Sequence, residues 1–249
     1  MNKRVVYTSL AGKGATIKNP AYIFEGWDYI CFSDDAVSTP DNDVWKIKPI
    51  PSDLKDRRRR SRVVKLQPHL FLQEYEYSLW IDANIEIVSA GFEQRINQLI
   101  NDNEVLTLIH HPFRQCIYEE AYACIRGGKD HHWKIRQLIN HLKKQNFPEN
   151  YGLYENGVLL RKHNDEKLKK INAEWWDLYH KYSERDQLSL TYLIWKYQLK
   201  VCTFFDRGIS VRNSEMIIRH EYKNSFNAKI RKRWLMFVNG IYLNYNRKQ

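Results

Sequence analysis

The chain has little that would staple it together or hold it in a bilayer. Its four cysteines (Cys31, Cys116, Cys124, Cys202) stand among 249 residues. None falls in C-x-x-C spacing or has companion histidines at zinc-finger distances, which argues against a disulfide framework and a thiolate metal knuckle. No window approaches the roughly 18 uninterrupted apolar residues of a spanning helix. No apolar stretch with a small-residue cleavage site follows Met1-Asn2-Lys3-Arg4. Free thiols with neither leader nor span give a cytoplasmic expectation, extending to the inner face of a membrane. There is also no repeat, low-complexity run or Gly/Ser linker, so solenoids and strings of small modules are not expected.

What is present suits one large folded domain with a short appendage. Hydrophobic residues make up 43% and aromatic residues 14% of the chain, far from a disordered composition. A chain of this size typically buries about three quarters of its unfolded surface. The net charge of +11 is unevenly placed. Residues 55–65 hold seven Lys or Arg against Asp56 alone, and residues 219–249 hold eight against Glu221 alone. The rest is close to neutral. Two basic islands indicate two anionic contacts, and a nucleic-acid-wrapping surface is not expected. The composition shift near residue 219 divides the chain into 1–218 and a basic amphipathic segment, 219–249.

Strand-like runs alternate with helix-like periodicity. Strands are expected at Arg4–Ser9, Tyr29–Phe32, Val44–Ile47, Ser78–Ile81, Val105–Ile109, Gly157–Arg161 and Val201–Phe205. Helices are expected over Leu54–Phe71, with Pro68 bending or ending it, and over Phe92–Ile100, Cys116–Ile125, His132–Leu142, a stretch through Trp175-Trp176, and Asp186–Tyr197. This order predicts an α/β fold with a mostly parallel sheet flanked by helices. Ligands gather at the carboxyl ends of such strands, where Asp34-Asp35, Asp82-Ala83-Asn84 and His110-His111 fall.

Leu79-Trp80-Ile81-Asp82-Ala83-Asn84 delivers two oxygen-bearing side chains from a buried strand. Oxygen ligands suit Mg²⁺ or Mn²⁺, which commonly bridge a protein carboxylate and substrate phosphates. The plain alternative is a turn in which Asp and Asn cap backbone groups. Upstream, Arg62 and Lys65 are three apart and share a helix face, a pairing suited to a diphosphate. Arg57–Arg60 reads as a solvated basic face. Downstream, Gly157 permits close approach before an apolar strand. Asp186 follows Ser183 by three residues, so a capping arrangement competes with a functional role. Trp175-Trp176 reads as core, or as the wall of an acceptor site. Basic residues beside Ile230, Trp234 and Phe237 suggest an interfacial helix on an anionic leaflet, or an ordinary helix packed on the domain.

Taken in order, Lys65–Ile87, His111-Pro112-x-Arg114-x-Cys116-x-Tyr118-x-Glu120-Ala121, Glu155-Asn156-Gly157-Val158 and Arg185-Asp186-Gln187-Leu188-Ser189 resemble a known family. It is a glycosyltransferase-like family first catalogued as a domain of unknown function, with plant mucilage- and turgor-associated and bacterial polysaccharide-cluster members. The resemblance spans roughly residues 5–200. The same layout is more distantly similar to glycogenin-like glycosyltransferases. It implies a GT-A-type fold over 1–218, an enzyme, a nucleotide-sugar donor such as a UDP-sugar, a saccharide or lipid-linked acceptor, and a divalent cation (Mn²⁺ or Mg²⁺). Carried over, Asp82, Ala83 and Asn84 form the metal–diphosphate motif, completed by His220. Arg62 and Lys65 contact the donor. Asn156 and Gly157 line the sugar pocket, and Asp186 with Gln187 faces the reacting sugar. Thr8 with Asp34 or Asp35 holds the nucleoside. His111, Arg114, Glu155 and Arg185 border the sugar or acceptor, and Glu120 faces the cleft beside Asp186 as a second catalytic candidate. The departure is Asn84, where the pattern has a carboxylate; it leaves open a non-catalytic descendant of the fold.

Overall fold

A computed structural model describes residues 3–11, 17–34, 44–50, 54–221 and 226–246. The elements run β1 (Arg4–Leu10), β2 (Trp27–Ser33), β3 (Lys46–Pro49), α1 (Arg57–Leu66), β4 (Tyr77–Ile81), β5 (Ile85–Ile87), α2 (Ala90–Asn101) and β6 (Leu106–His110). They continue with α3 (Ile117–Arg126), α4 (His132–Lys144), β7 (Tyr154–Arg161), α5 (Glu166–Lys181), α6 (Gln187–Lys196), β8 (Cys202–Thr203), β9 (Ile217–Arg219) and α7 (Phe226–Asn246).

Near-continuous apolar runs make the central strands. Val5 to Thr8 on β1 and all five residues of β4 are buried, as expected of strands covered on both faces. The sheet order is β3-β2-β1-β4-β7-β6-β8. Strands β1 to β4, β6 and β8 run parallel, and β7 runs antiparallel between β4 and β6. The reversal matters for the site: it brings the amino end of β7 to the edge where the other strands have their carboxyl ends. The GT-A-type α/β arrangement is therefore present as expected, with helices on both faces. One core holds Tyr7, Trp80 and Trp175 under α1 and α3 to α6, and the other holds Val6, Leu79 and Phe92 on the side of α2.

Several boundaries differ from the sequence reading for identifiable reasons. The helix expected to reach Phe71 ends at Leu66, because Gln67 precedes Pro68 and leaves the helical region (φ −125°, ψ 52°). Asp56 starts that helix by accepting from the Arg59 amide at 2.9 Å. The strand expected over Val201–Phe205 pairs only at Cys202–Thr203. The short ribbon of β5 and β9 (Ile85 opposite Arg219, Ile87 opposite Ile217) was not foreseen, since three residues carry no readable periodicity.

Candidate active site

Asp82 leaves β4 in a turn held from both sides. Its amide donates to the Gly157 carbonyl at 2.8 Å, and its own carbonyl accepts from the Ile85 amide at 2.8 Å. Among the described residues its carboxylate caps no backbone group: Oδ1 accepts from Trp80 Nε1 at 3.0 Å and faces Lys65 Nζ at 3.4 Å and Arg62 Nη1 at 3.7 Å. Asn84 does bind backbone. Its Nδ2 donates to the His220 carbonyl and the His220 amide donates to the Asn84 carbonyl, both at 2.8 Å. That leaves Asn84 Oδ1 as the side-chain acceptor. The His220 ring turns to Glu86, with Nε2 to Oε2 at 2.5 Å.

Lys65 is the centre of the cluster. It is 1% exposed, lies 5.4 Å from the Trp80 ring centroid and donates to Asp186 Oδ2 at 2.6 Å. Spacing from Arg62 brings both cations to one face of α1, as expected. Asp186 precedes α6 without capping it, and Ser183 Oγ binds Asp130 at 2.9 Å, so the capping alternative is not what is formed. Burial alone would raise the Asp186 carboxyl, but Lys65, Arg62 and Arg185 hold it well below the usual carboxylate range. A carboxylate so fixed is a poor proton acceptor near neutral pH and a good electrostatic partner.

The opposite wall comes from β7 and the segment after β6. Glu155 pairs with Arg212 and accepts from the Val211 amide at 3.3 Å. Gln187 donates to the Tyr154 carbonyl at 2.7 Å. His111 Nδ1 accepts from the amides of Arg114 (3.0 Å) and Phe113 (3.3 Å), which puts the ring proton on Nε2, 3.7 Å from Glu120. Burial lowers the affinity of His111 for a second proton. Glu120 is buried, takes Arg114 Nε at 2.5 Å and accepts from Cys124 Sγ at 3.2 Å. Both of its oxygens are thus occupied by neighbours.

Two cavities meet at Asn84 and Ile85. The smaller, about 160 Å³, presents mainly apolar surface, from side chains including Ile17, Trp45, Ile81 and Ala83, and is also lined by Thr8, Lys18, Glu86, His220 and Glu221. The larger, about 360 Å³, is lined by Arg62, Lys65, Arg114, Lys129, Arg185, Arg212 and Arg219 against Asp82, Glu120, Glu155 and Asp186. Two of its buried donors, Asn156 Nδ2 and Arg185 Nε, have no hydrogen-bond partner among the described residues. Such atoms are few in native proteins and fit a site whose ligand supplies oxygen.

The sequence profile of the TOD1/MUCI70 glycosyltransferase-like domain matches residues 36–220. The chain belongs to the TOD1/MUCI70 glycosyltransferase-like family. One curated relative is the "Probable hexosyltransferase MUCI70" of Arabidopsis thaliana, 24% identical over 157 residues. That alignment takes in 59% of this chain and 27% of the relative, so the chain spans about a quarter of the plant protein's length.

In this TOD1/MUCI70 chain, Arg62, Lys65, Asp82, Asn84, Asn156, Gly157, Arg185, Asp186 and Gln187 gather on one cavity, with Glu120, His111, Arg114 and Glu155 on its far side. Thr8 and His220 belong to the neighbouring cavity. Asp34 pairs with Arg60 at 2.7 Å and is not among the residues lining either cavity; Asp35 lies outside the described residues. The face of Arg57–Arg60 is not simply solvated, since Arg58 and Arg59 also approach Glu184 at 3.3 and 3.4 Å. Sequence reasoning missed Trp45, Glu86, Lys129, Arg212 and Arg219. The Glu86 and Arg219 positions follow from the unforeseen ribbon, and none of the five stands in a recognisable spacing.

Among the described residues, no three His, Cys, Asp or Glu side chains are grouped to hold a metal ion. Asp82 and Asn84 nevertheless present a carboxylate and an amide oxygen on one turn. Such a pair fits a cation shared with substrate phosphates, and does not fit one held by protein alone. Gly157 supports the same turn. A Cβ there would meet Ile85 Cδ1 at 2.9 Å and Asp82 Oδ2 at 3.7 Å. Gly157→Ala is therefore expected to destabilise by up to about 1 kcal/mol, because the Ile85 methyl must move where the two cavities meet. Thermal denaturation with and without a nucleotide checks this, and an unchanged melting temperature would contradict the close approach.

Proposed function

We propose that the chain transfers a hexosyl group from a nucleotide sugar, a UDP-sugar by preference, to a hydroxyl of a saccharide or lipid-linked acceptor. The observation that carries the reading is the junction of an apolar cavity and a basic cavity at the Asp82-Ala83-Asn84 turn. A nucleoside suits the first, with Trp45 and Thr8 in its lining. A diphosphate and sugar suit the second. The neighbouring turn can serve both.

In the reaction the bond between the anomeric carbon and the diphosphate oxygen breaks, the acceptor oxygen bonds to that carbon, and the acceptor proton passes to the departing diphosphate. Negative charge grows on the diphosphate, where Arg62, Lys65, Arg185 and Arg219 are preorganised donors. A divalent cation on Asp82 and Asn84 would add neutralising charge to the same oxygens. Asp186, kept ionised by Lys65, is suited to orienting the acceptor or stabilising positive charge on the sugar, in preference to removing a proton. Gln187 and Asn156 border the sugar.

Asn84 supplies a direct test. Asn84→Asp adds a carboxylate to the turn and is expected to raise the apparent affinity for Mn²⁺ about tenfold in a donor-turnover assay that follows nucleotide release. Turnover that is indifferent to Mn²⁺ and EDTA in both proteins would remove the cation from the reading. Absence of nucleotide release with every sugar donor, in both proteins, would remove the transferase reading itself.

A further inference from the structure

Helix α7 has a face that the cleft does not use. Its inner side is docked: buried Asn239 donates to the carbonyls of Ile125 (2.9 Å) and Asp130 (3.0 Å) and accepts from the His132 amide (3.0 Å). Leu235 is buried, and Tyr242 stacks on His132 with centroids 4.3 Å apart. On the opposite side stand Ile230, Trp234, Phe237 and Ile241, all exposed, with Phe237 at 68%. Spacing of four, three and four residues aligns them as one apolar stripe. Trp133 of α4, also exposed, meets the same His131 ring that Trp234 contacts.

Charge identifies what covers this stripe. Between residues 226 and 246 there is no Asp or Glu, while Lys229, Arg231, Lys232 and Arg233 cluster around the stripe's first turn. A second copy of the chain packed symmetrically on this face would oppose like charges. An anionic lipid surface pairs them while its acyl boundary accepts Trp, Phe and Ile. No described helix is long and apolar enough to cross a membrane, so α7 would lie in the interfacial plane.

We propose that α7 rests on an anionic lipid bilayer through Ile230, Trp234, Phe237 and Ile241, and that the acceptor is presented from that surface. The second clause rests on the transferase reading; the first does not. The link to the cleft is short. Gly128, with φ +58°, lies against α7 so closely that a Cβ would come within 2.7 Å of the Lys232 carbonyl. The adjacent residue, Lys129, lines the basic cavity. One loop therefore separates the lipid-facing helix from the place where a sugar would be transferred.

The test is flotation of the full chain with vesicles of phosphatidylcholine alone or with about 30% phosphatidylglycerol, with no donor present. The chain is expected to float with the anionic vesicles and to be released by about 0.5 M salt. Trp234→Ser/Phe237→Ser and Arg231→Glu/Arg233→Glu should each weaken partitioning at least about tenfold. Their melting temperatures should shift little, since all four side chains are exposed, although Trp234 loses its contact with the His131 ring. Three results would overturn the proposal: a folded chain that stays with the soluble fraction at every composition, binding unchanged in both double variants, or a concentration-dependent dimer that the serine pair dissolves. Failure here leaves donor binding untouched, and failure of donor binding leaves the flotation result standing, so the two readings fall separately.

Discussion

Asp186→Asn is expected to reduce glycosyl transfer by about 10²–10³-fold, the loss typical of removing one preorganised charged group from a transition state. Asparagine keeps the shape but deprives Lys65 of the partner 2.6 Å away, leaving it Asp82 at 3.4 Å. Because Lys65 and Asp186 are both buried, the change should also cost stability, on the order of 3 kcal/mol at pH 7. The pH dependence follows from the direction of the shift. The folded-state carboxyl of Asp186 lies below its unfolded value. Its stabilisation is therefore fully present above the unfolded value of about 3.9 and is lost as pH falls through the folded one. The stability gap between wild type and variant should hold from pH 7 to 5 and shrink below about pH 4. Denaturant titrations at several pH values, with kcat at pH 7, check both parts. A gap that widens on acidification, or a variant with undiminished kcat, would refute the Lys65–Asp186 account.

Asp82→Ala should lower turnover more, by about 10³-fold, since the metal–diphosphate contact proposed for this turn would stabilise developing charge by several kcal/mol. The same change removes the acceptor for Trp80 Nε1 and the carboxylate facing Lys65 and Arg62. It should also cost about 1–3 kcal/mol of stability, because the buried Trp80 Nε1 is left without its acceptor. A folded but activity-dead variant is the expected result. It is read from kcat/KM and from denaturation of the same preparation. An active Asp82→Ala protein would mean that the turn only shapes the loop between β4 and β5.

The contrast between these residues shows how far the sequence could be read. Buried strands such as β1 and β4 announce themselves as apolar runs, and their polar ends mark the cleft. Strand direction is not encoded in periodicity, so nothing local revealed that β7 is reversed. Yet that reversal is what carries Glu155, Asn156 and Gly157 to Asp82. The spacing of Arg62 and Lys65 told of one helix face. The pairing of Lys65 with Asp186, 121 positions away, depends on how α1 and the start of α6 meet, which no local pattern specifies. His220 meets Asn84 through its backbone, while its ring is directed to Glu86 on a ribbon too short to foresee. Arg212 and Arg219 make the cavity basic without standing in either helix-face pairing or motif.

The most direct test of the two-cavity account is the melting temperature of the purified chain with UDP-, GDP-, CMP- and dTDP-hexoses, each with Mn²⁺ and with EDTA. A ligand that binds only the folded state must raise that temperature by an amount set by its concentration relative to Kd. The account predicts a rise with the UDP-sugars that is larger with Mn²⁺ and is lost in Asp82→Ala. No rise with any nucleotide sugar, in protein shown to be folded, would contradict it.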